Sequence, residues 1–101
     1  MKKIKLFVDD VRDAPIGWVQ TRKIDITILL LEAGIVETIS LDYDLGLANH
    51  KTGYDIIKWI EKQVATKGFI PPVIEIHTQN PVGSKRMEAG IKKIKELAGQ
   101  V

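Results

Sequence analysis

The organisation of this chain is set by the stretch Ile4-Lys5-Leu6-Phe7-Val8-Asp9-Asp10, a nearly continuous apolar run that ends in two adjacent carboxylates. Such a run is typical of a strand buried in a parallel sheet. Further strand-like runs are Trp18–Thr21, Thr38–Leu41 and Pro72–Thr78, with helix-like runs between them. This alternation predicts a three-layer α/β fold with a mostly parallel sheet of about four strands, and we expect residues 1–101 to form one domain.

Three helix-like runs carry recognisable end signals. Asp25 is the expected N-cap of the first, and Thr52 with Asp55 has the spacing of a capping box in the second. Asn80 followed by Pro81 predicts the start of the third. The positions expected to face the core are Ile26, Leu29, Leu30 and Ala33 in the first helix, Ile56, Ile57, Ile60 and Val64 in the second, and Met87, Ile91, Ile94 and Ala98 in the third.

Composition excludes several kinds of site. The 101 residues include no cysteine, which rules out disulfides, thiolate metal ligands and thiol nucleophiles. The apolar run after Met1-Lys2-Lys3 is too short for a signal-peptide core, and no stretch reaches the roughly 18 apolar residues of a membrane span. We therefore expect a cytoplasmic protein that makes no contact with a membrane.

The net charge of +2 does not indicate a partner by itself. Cations are concentrated in the last helix-like run, where a basic face would attract a polyanion, although a solvated lysine face is the commoner meaning of such a pattern. These cations are Lys85, Arg86, Lys92, Lys93 and Lys95.

Polar clusters follow three of the expected strands at the point where each strand ends. They are Asp9-Asp10, Asp42-Tyr43-Asp44 and His77-Thr78-Gln79-Asn80. Open α/β sheets bind their ligands outside the carboxyl ends of the strands, so we expect the clusters to form one site.

The carboxylates of this expected site suit a divalent cation. Adjacent charges in Asp9-Asp10 repel, and a hard cation such as Mg²⁺, or Mn²⁺ in its place, removes that repulsion. With Asp42 at a neighbouring strand end, we expect Asp9, Asp10, Asp42 and Asp44 to be the metal ligands. The alternatives are a solvated strand end for the pair and a turn for Asp44.

The other polar residues of these clusters suit phosphate chemistry. His77 is a candidate for proton transfer near neutral pH, with a structural, hydrogen-bonded histidine as the alternative. Arg12 would reach an anion or neutralise the acid pair. A helix start at Asn80 would attract a phosphate, together with the nearby Gly83, Ser84, Lys85 and Arg86. His50, in a polar loop, is expected to be solvated.

Together these motifs resemble the receiver domain of two-component signalling, and more closely its shortened relative, the cyclic-phosphate processing receiver domain. The resemblance covers nearly the whole chain. Its motifs are Val8-Asp9-Asp10-Val11-Arg12 with Pro15 and Trp18, Ile39-Ser40-Leu41-Asp42-Tyr43-Asp44-Leu45-Gly46, Gly53-Tyr54-Asp55, and His77-Thr78-Gln79-Asn80-Pro81-Val82-Gly83 with Met87.

The resemblance implies a truncated, flavodoxin-like and receiver-like fold that processes cyclic or terminal phosphates on nucleotides or RNA ends, with RNA-repair proteins as partners. It implies catalytic roles for Asp42, His77 and Thr78. Position 43 is Tyr where many relatives have His. We expect no fifth strand in these residues and therefore no counterpart of the lysine that this strand carries in a receiver, for which Lys85 or Arg86 would have to substitute. The alternatives are a phospho-accepting signalling receiver with Asp42 as the acceptor, and a non-catalytic module that binds a phosphate ligand or a protein.

Overall fold

A computed structural model describes residues 2–46 and 51–100 of the chain, so His50 lies outside the described residues. The described strands form a single parallel sheet in the order β2-β1-β3-β4. The expected α/β fold with a short, parallel, four-stranded sheet is therefore confirmed. The strands are β1 (Ile4–Val8), β2 (Val19–Thr21), β3 (Val36–Leu41) and β4 (Val73–Ile76), and the helices are α1 (Ile24–Glu32), α2 (Gly53–Lys67) and α3 (Pro81–Leu97).

All three of these helices lie on one face of the sheet, which corrects the expectation of three layers. The crossovers β2-α1-β3 and β3-α2-β4 step across the sheet in the same direction, and right-handed crossovers then place both helices on the same side. Accordingly α1 contacts α2, and α2 packs along α3. The step from β1 to β2 runs in the opposite direction and would place a helix on the other face, but residues 9–18 contain none.

Side chains alternate between the two faces of this sheet. Leu6 and Val8 of β1 and Ile39 and Leu41 of β3 are fully buried in one core with the helices. The intervening residues of both strands point to the opposite side, which no described helix covers. They are Lys5, Phe7, Thr38 and Ser40.

Helices α2 and α3 begin as their sequences predict. Thr52 accepts a hydrogen bond from the backbone N–H of Tyr54 (3.2 Å), and Asp55 accepts one from the backbone N–H of Thr52 (2.7 Å), which completes the capping box. The side chain of Asn80 caps α3 by accepting from the N–H of Gly83 (2.9 Å), with Pro81 as the first helical residue. At the other end of α2, Gly68 takes the left-handed conformation that ends helices.

The buried face of α1 differs from the prediction. Thr27 and Leu31 are buried, whereas Ile26, Leu29 and Ala33 are exposed. The helix also begins one residue before Asp25, so Asp25 lies in its first turn and Lys23 precedes the helix without a side-chain cap. The buried hydroxyl of Thr27 bonds to that of Thr21 in β2 (3.0 Å), so the contact with β2 fixes the orientation of α1.

Strand ends differ by a few residues from the expected ones. Strand β3 begins at Val36 rather than Thr38, and β4 is limited to Val73–Ile76, so His77 and Thr78 lie just beyond it. None of the helices in the described part of the chain has the length and apolar character that crossing a membrane requires.

Candidate active site at the carboxyl edge of the sheet

The carboxylates of Asp9, Asp10 and Asp42 converge at the carboxyl ends of β1 and β3. One oxygen atom from each lies within 4.8 Å of the others. Asp9 is only 2% exposed, while the other two are partly buried. Asp9 and Asp42 border an open cleft of about 430 Å³, whose lining residues are Asp9, Val11, Arg12, Asp42, Asp44, His77, Thr78, Gln79 and Asn80, while Asp10 lines an adjoining cleft.

Hydrogen bonds hold the carboxylate of Asp9 in its ionised form. Its Oδ1 accepts from the backbone N–H groups of Val11 (2.9 Å) and Arg12 (2.8 Å), and its Oδ2 lies 3.0 Å from Nε2 of His77. Burial acts to raise the pKa of Asp9, but these three hydrogen bonds outweigh it and leave the pKa below its usual value. Asp9 is thus a buried anion in an acidic site.

Asp42 shows the opposite balance. Burial, together with the negative charge of Asp9, raises the pKa of Asp42 above its usual value, although the Thr78 hydroxyl and the N–H of Asp44 act to lower it. A bound cation would stabilise the ionised form of Asp42, because its positive charge would offset both the cost of burying the carboxylate and the repulsion by Asp9.

Gly53 allows the first turn of α2 to approach Asp42 closely. A β-carbon at this position would overlap the backbone carbonyl oxygen of Asp42 and would contact the sulfur of Met87 at 3.2 Å. The N–H of Gly53 also donates to the carbonyl of Tyr43 (2.8 Å). The start of α2 therefore fixes the segment that carries Asp42.

His77 is held at both ring nitrogens. Its Nε2 faces Asp9, and its Nδ1 lies 2.7 Å from the hydroxyl of Ser40. Because a carboxylate accepts hydrogen bonds only, Nε2 must carry a proton, and in the neutral ring Ser40 then donates to Nδ1. The ring stacks on Phe7 with centroids 4.2 Å apart and an interplanar angle of 8°. Sequence reasoning missed Ser40, although alternation places it on the same side of β3 as Asp42.

Thr78 and Asn80 line the same cleft and order the start of α3. The hydroxyl of Thr78 accepts from the backbone N–H of Asn80 (3.2 Å), and the amide of Asn80 lies 3.5 Å from an Asp44 oxygen. Asp44 lines the cleft but is not in the close group of three acids. Since Asn80 caps Gly83, it already occupies one N–H group of the helix start.

Arg86 is engaged away from the acids. Its Nη1 donates to the hydroxyl of Tyr43 (3.0 Å), and its guanidinium lies 4.5 Å from the ring centroid of Tyr54. The ring of Tyr43 packs on Gly83 so closely that a β-carbon there would overlap it. The hydroxyl of Ser84 donates to Glu88 (3.4 Å), and Lys85 is exposed on the same turn.

Two cationic side chains line the clefts beside the acids in the described part of the chain. Arg12 lines the main cleft, and its side chain forms no ion pair with Asp9 or Asp10. Lys51 lines an adjoining cleft with Asp10, Asp42 and Asp44. Sequence reasoning missed Lys51, since only the fold brings residue 51 beside the ends of β1 and β3.

A short parallel sheet with three acids and a threonine at its carboxyl edge defines a receiver-like domain. The family described as the cyclic-phosphate processing receiver domain matches residues 4–93, and the chain therefore belongs to that family. No curated protein and no solved structure gave a significant match.

The residues at this edge fit a divalent cation by the chemistry of their donors. Oxygen ligands are those that Mg²⁺ and Mn²⁺ prefer, and Asp9, Asp10 and Asp42 offer three within the reach of one ion. The cleft beside them supplies space for a phosphate group.

Proposed function

We propose that this protein processes phosphate esters in a metal-dependent reaction, by hydrolysis or transfer, and that its substrates are cyclic or terminal phosphates on nucleotides or RNA ends. The observation that carries the proposal is the convergence of three acids, two of which, Asp9 and Asp42, line one cleft together with His77 and Thr78. Membership of the cyclic-phosphate processing receiver domain family supports the same chemistry.

In this proposal Asp9, Asp10 and Asp42 hold the cation, with Asp44 as a further ligand on the rim. The bound cation would polarise the phosphate and offset the negative charge that grows during the reaction. The raised pKa of Asp42 and the buried charge of Asp9 favour cation binding, because both groups gain from a positive neighbour.

His77 moves the proton in this reaction. Nε2 carries a proton and donates it in a hydrogen bond to Asp9, which lines the cleft. The hydroxyl of Ser40 pairs with Nδ1 and so keeps the proton of the neutral ring on Nε2. When both ring nitrogens carry a proton, a substrate oxygen that replaces Asp9 as the partner of Nε2 would receive the Nε2 proton. The proton left on Nδ1 would then be donated in a hydrogen bond to Ser40, and the ring would end neutral. Stacking on Phe7 keeps the ring in the orientation that this transfer requires.

Other residues that line the cleft would hold the phosphate oxygens. Thr78 and Asn80 line it together with Asp42, and Arg12 adds a positive charge. Gly83, Ser84, Lys85 and Arg86 follow on the first turns of α3 and are not among the residues that line this cleft, so they would favour an anion there only through the helix dipole and their charges.

A screen of 2′,3′-cyclic and terminal phosphates with Mg²⁺, Mn²⁺ or chelator tests the proposal. Asp42→Ala should abolish turnover, and His77→Ala should lower the rate by roughly 10²- to 10⁴-fold, the usual size of general acid–base catalysis. Asp25→Ala is the matched control, because Asp25 is exposed on α1. Turnover that survives in both site variants, or that is unaffected by chelator, would contradict the proposal.

A signalling receiver is the second candidate, favoured by Thr78 beside Asp42 at the end of a central strand. It predicts that acetyl phosphate with Mg²⁺ adds one phosphoryl group to the protein, and that Asp42→Asn prevents the addition. Mass spectrometry distinguishes the two, since a stable phosphoprotein without turnover of any ester would favour the receiver.

A further inference from the structure

The open face of the sheet leads directly to the acidic cleft. Parallel sheets usually have both faces covered, but here the described helices cover one face only. His77, which borders the cleft, stacks on Phe7, a residue of the open face. A ligand bound in the cleft can therefore extend across the sheet without meeting a helix.

A row of aromatic rings runs along this face. The ring of Phe7 stacks on that of His77 and meets that of Trp18 nearly at right angles, with a centroid distance of 6.2 Å to Trp18. Phe7 is buried, whereas Trp18 is partly exposed and has the ammonium group of Lys5 5.8 Å from its ring centroid. Trp18 is thus the ring available to an incoming group.

Cations surround Trp18 at the far end of the row. A second cleft, of about 410 Å³, is lined by Lys2, Lys3 and Lys5 together with Trp18, and Glu37 is the carboxylate among its described lining residues. Three ammonium groups beside a partly exposed indole combine positive charge with a stacking surface. Single-stranded nucleic acids are bound by this combination of groups.

We propose that the open face binds a single strand of nucleic acid, with a base stacked on Trp18, backbone phosphates at Lys2, Lys3 and Lys5, and the strand's terminal phosphate in the Asp42 cleft. The placement of the terminal phosphate in this cleft rests on the proposed function. Along β1, Lys5 and Asp9 are roughly 13 Å apart at a strand rise of about 3.3 Å per residue. A stacked strand covers this in roughly four nucleotides at about 3.4 Å each.

The basic face of α3 is the competing surface for a polyanion. Its cations include Lys92, Lys93 and Lys95, but the helix has no aromatic residue. Carboxylates do not distinguish the two surfaces, since α3 carries Glu88 and Glu96 and the open face carries Glu37 and Glu75. Helix α3 offers charge without stacking. The open face offers both, and it reaches the acidic cleft.

Fluorescence anisotropy with labelled oligonucleotides of two, four and six nucleotides tests the inference with Mn²⁺ present, because the acids of the cleft would repel a terminal phosphate without a cation. We expect the hexamer to bind about tenfold or more tightly than the dimer, because it spans both the cleft and Trp18. Replacing Lys2, Lys3 and Lys5 together by Ser should remove most of this gain. It should also reduce the slope of log K against log salt by about 2, at about 0.7 for each phosphate contact.

Replacing Lys92, Lys93 and Lys95 by Ser removes the same charge from α3 and is the matched control, expected to change the dissociation constant less than twofold. Trp18→Ala should weaken hexamer binding by roughly five-fold or more. Since Trp18 also contacts Phe7, Trp18→Phe checks that the loss reflects stacking, and it should retain most of the binding.

Three results would overturn the inference: affinity that does not depend on strand length, loss of binding in the α3 variant but not in the Lys2, Lys3 and Lys5 variant, or equal binding of an acidic peptide such as polyglutamate. Length-dependent binding at the open face without turnover of any phosphate ester would reject the proposed function and leave the strand-binding face supported. The two proposals therefore fail separately.

Discussion

Replacing Asp42 by Asn should make the metal-free protein more stable. The carboxylate oxygens of Asp9 and Asp42 lie within 4.8 Å of each other. Two unit charges at this separation repel by about 1 kcal/mol in water and by about 3.5 kcal/mol at an effective dielectric constant of 20. The lost interactions of Asp42 with Thr78 and Asp44 offset part of this gain. We expect a net stabilisation of about 1 kcal/mol, or roughly 4–8 °C in Tm for a domain of this size.

The stabilisation by Asp42→Asn should be larger at neutral pH than in acid. Because the pKa of Asp42 is raised, the folded state binds a proton more tightly than the unfolded state between the usual pKa of 3.8 and the raised value. The contribution of Asp42 to the free energy of unfolding of the wild-type protein therefore falls as pH rises through that window. The advantage of Asp42→Asn should be present at neutral pH and should vanish as the pH falls below about 4.

Thermal unfolding followed by circular dichroism, with chelator and with excess Mn²⁺, measures both effects. Wild type should gain about 2.7 kcal/mol at a Mn²⁺ concentration 100 times its dissociation constant, while the variant should gain little. The order of stability of the two proteins should then reverse when metal is added. Asp25→Asn, on the exposed side of α1, should show neither effect. An Asp42→Asn protein less stable than wild type in chelator would refute the argument from charge repulsion.

Three further predictions follow from single contacts. Gly53→Ala should destabilise the fold by about 1–3 kcal/mol in urea unfolding and weaken Mn²⁺ binding, because its β-carbon would displace Asp42; unchanged metal affinity would speak against this positioning role. Asp9→Asn should flatten the loss of stability in acid, since the lowered pKa of Asp9 contributes stability that disappears as pH falls below 3.8; urea midpoints measured between about pH 2 and 5 check this. Thr52→Ala should cost about 1 kcal/mol by removing the cap of α2, with the exposed Thr66→Ala as control, and equal losses in both would contradict it.

Much of the site could be predicted because strand ends and helix caps are local signals. An apolar run followed by Asp9-Asp10 indicates where β1 stops, and Asn80-Pro81 indicates where α3 starts. Parallel pairing then brings the carboxyl ends together without further information. That rule was enough to place Asp42 near Asp9.

What the sequence could not show depends on contacts between distant elements. The run Ile24–Glu32 is apolar on nearly every side, so periodicity alone did not identify Thr27 and Leu31 as its buried face. Likewise, strand order cannot be read from the pattern of helices and strands, and strand order is what places the described helices on one side of the sheet. The contact of Arg86 with Tyr43 joins residues 43 positions apart and has no local signal.

The chain Ser40–His77–Asp9 connects these local and distant effects. Ser40 is buried on the open side of β3, where an unpaired hydroxyl would be costly, and the imidazole of His77 satisfies it. The same ring donates to Asp9 and covers Phe7, so one side chain from the end of β4 completes the face that lacks a helix. Because His77 performs this structural work at the edge of the acidic cleft, a substrate that engages Nε2 must compete with Asp9. In the reaction we propose, these contacts would hold the ring in position for proton transfer, and a substrate would have to displace Asp9 from Nε2 before it could receive the proton.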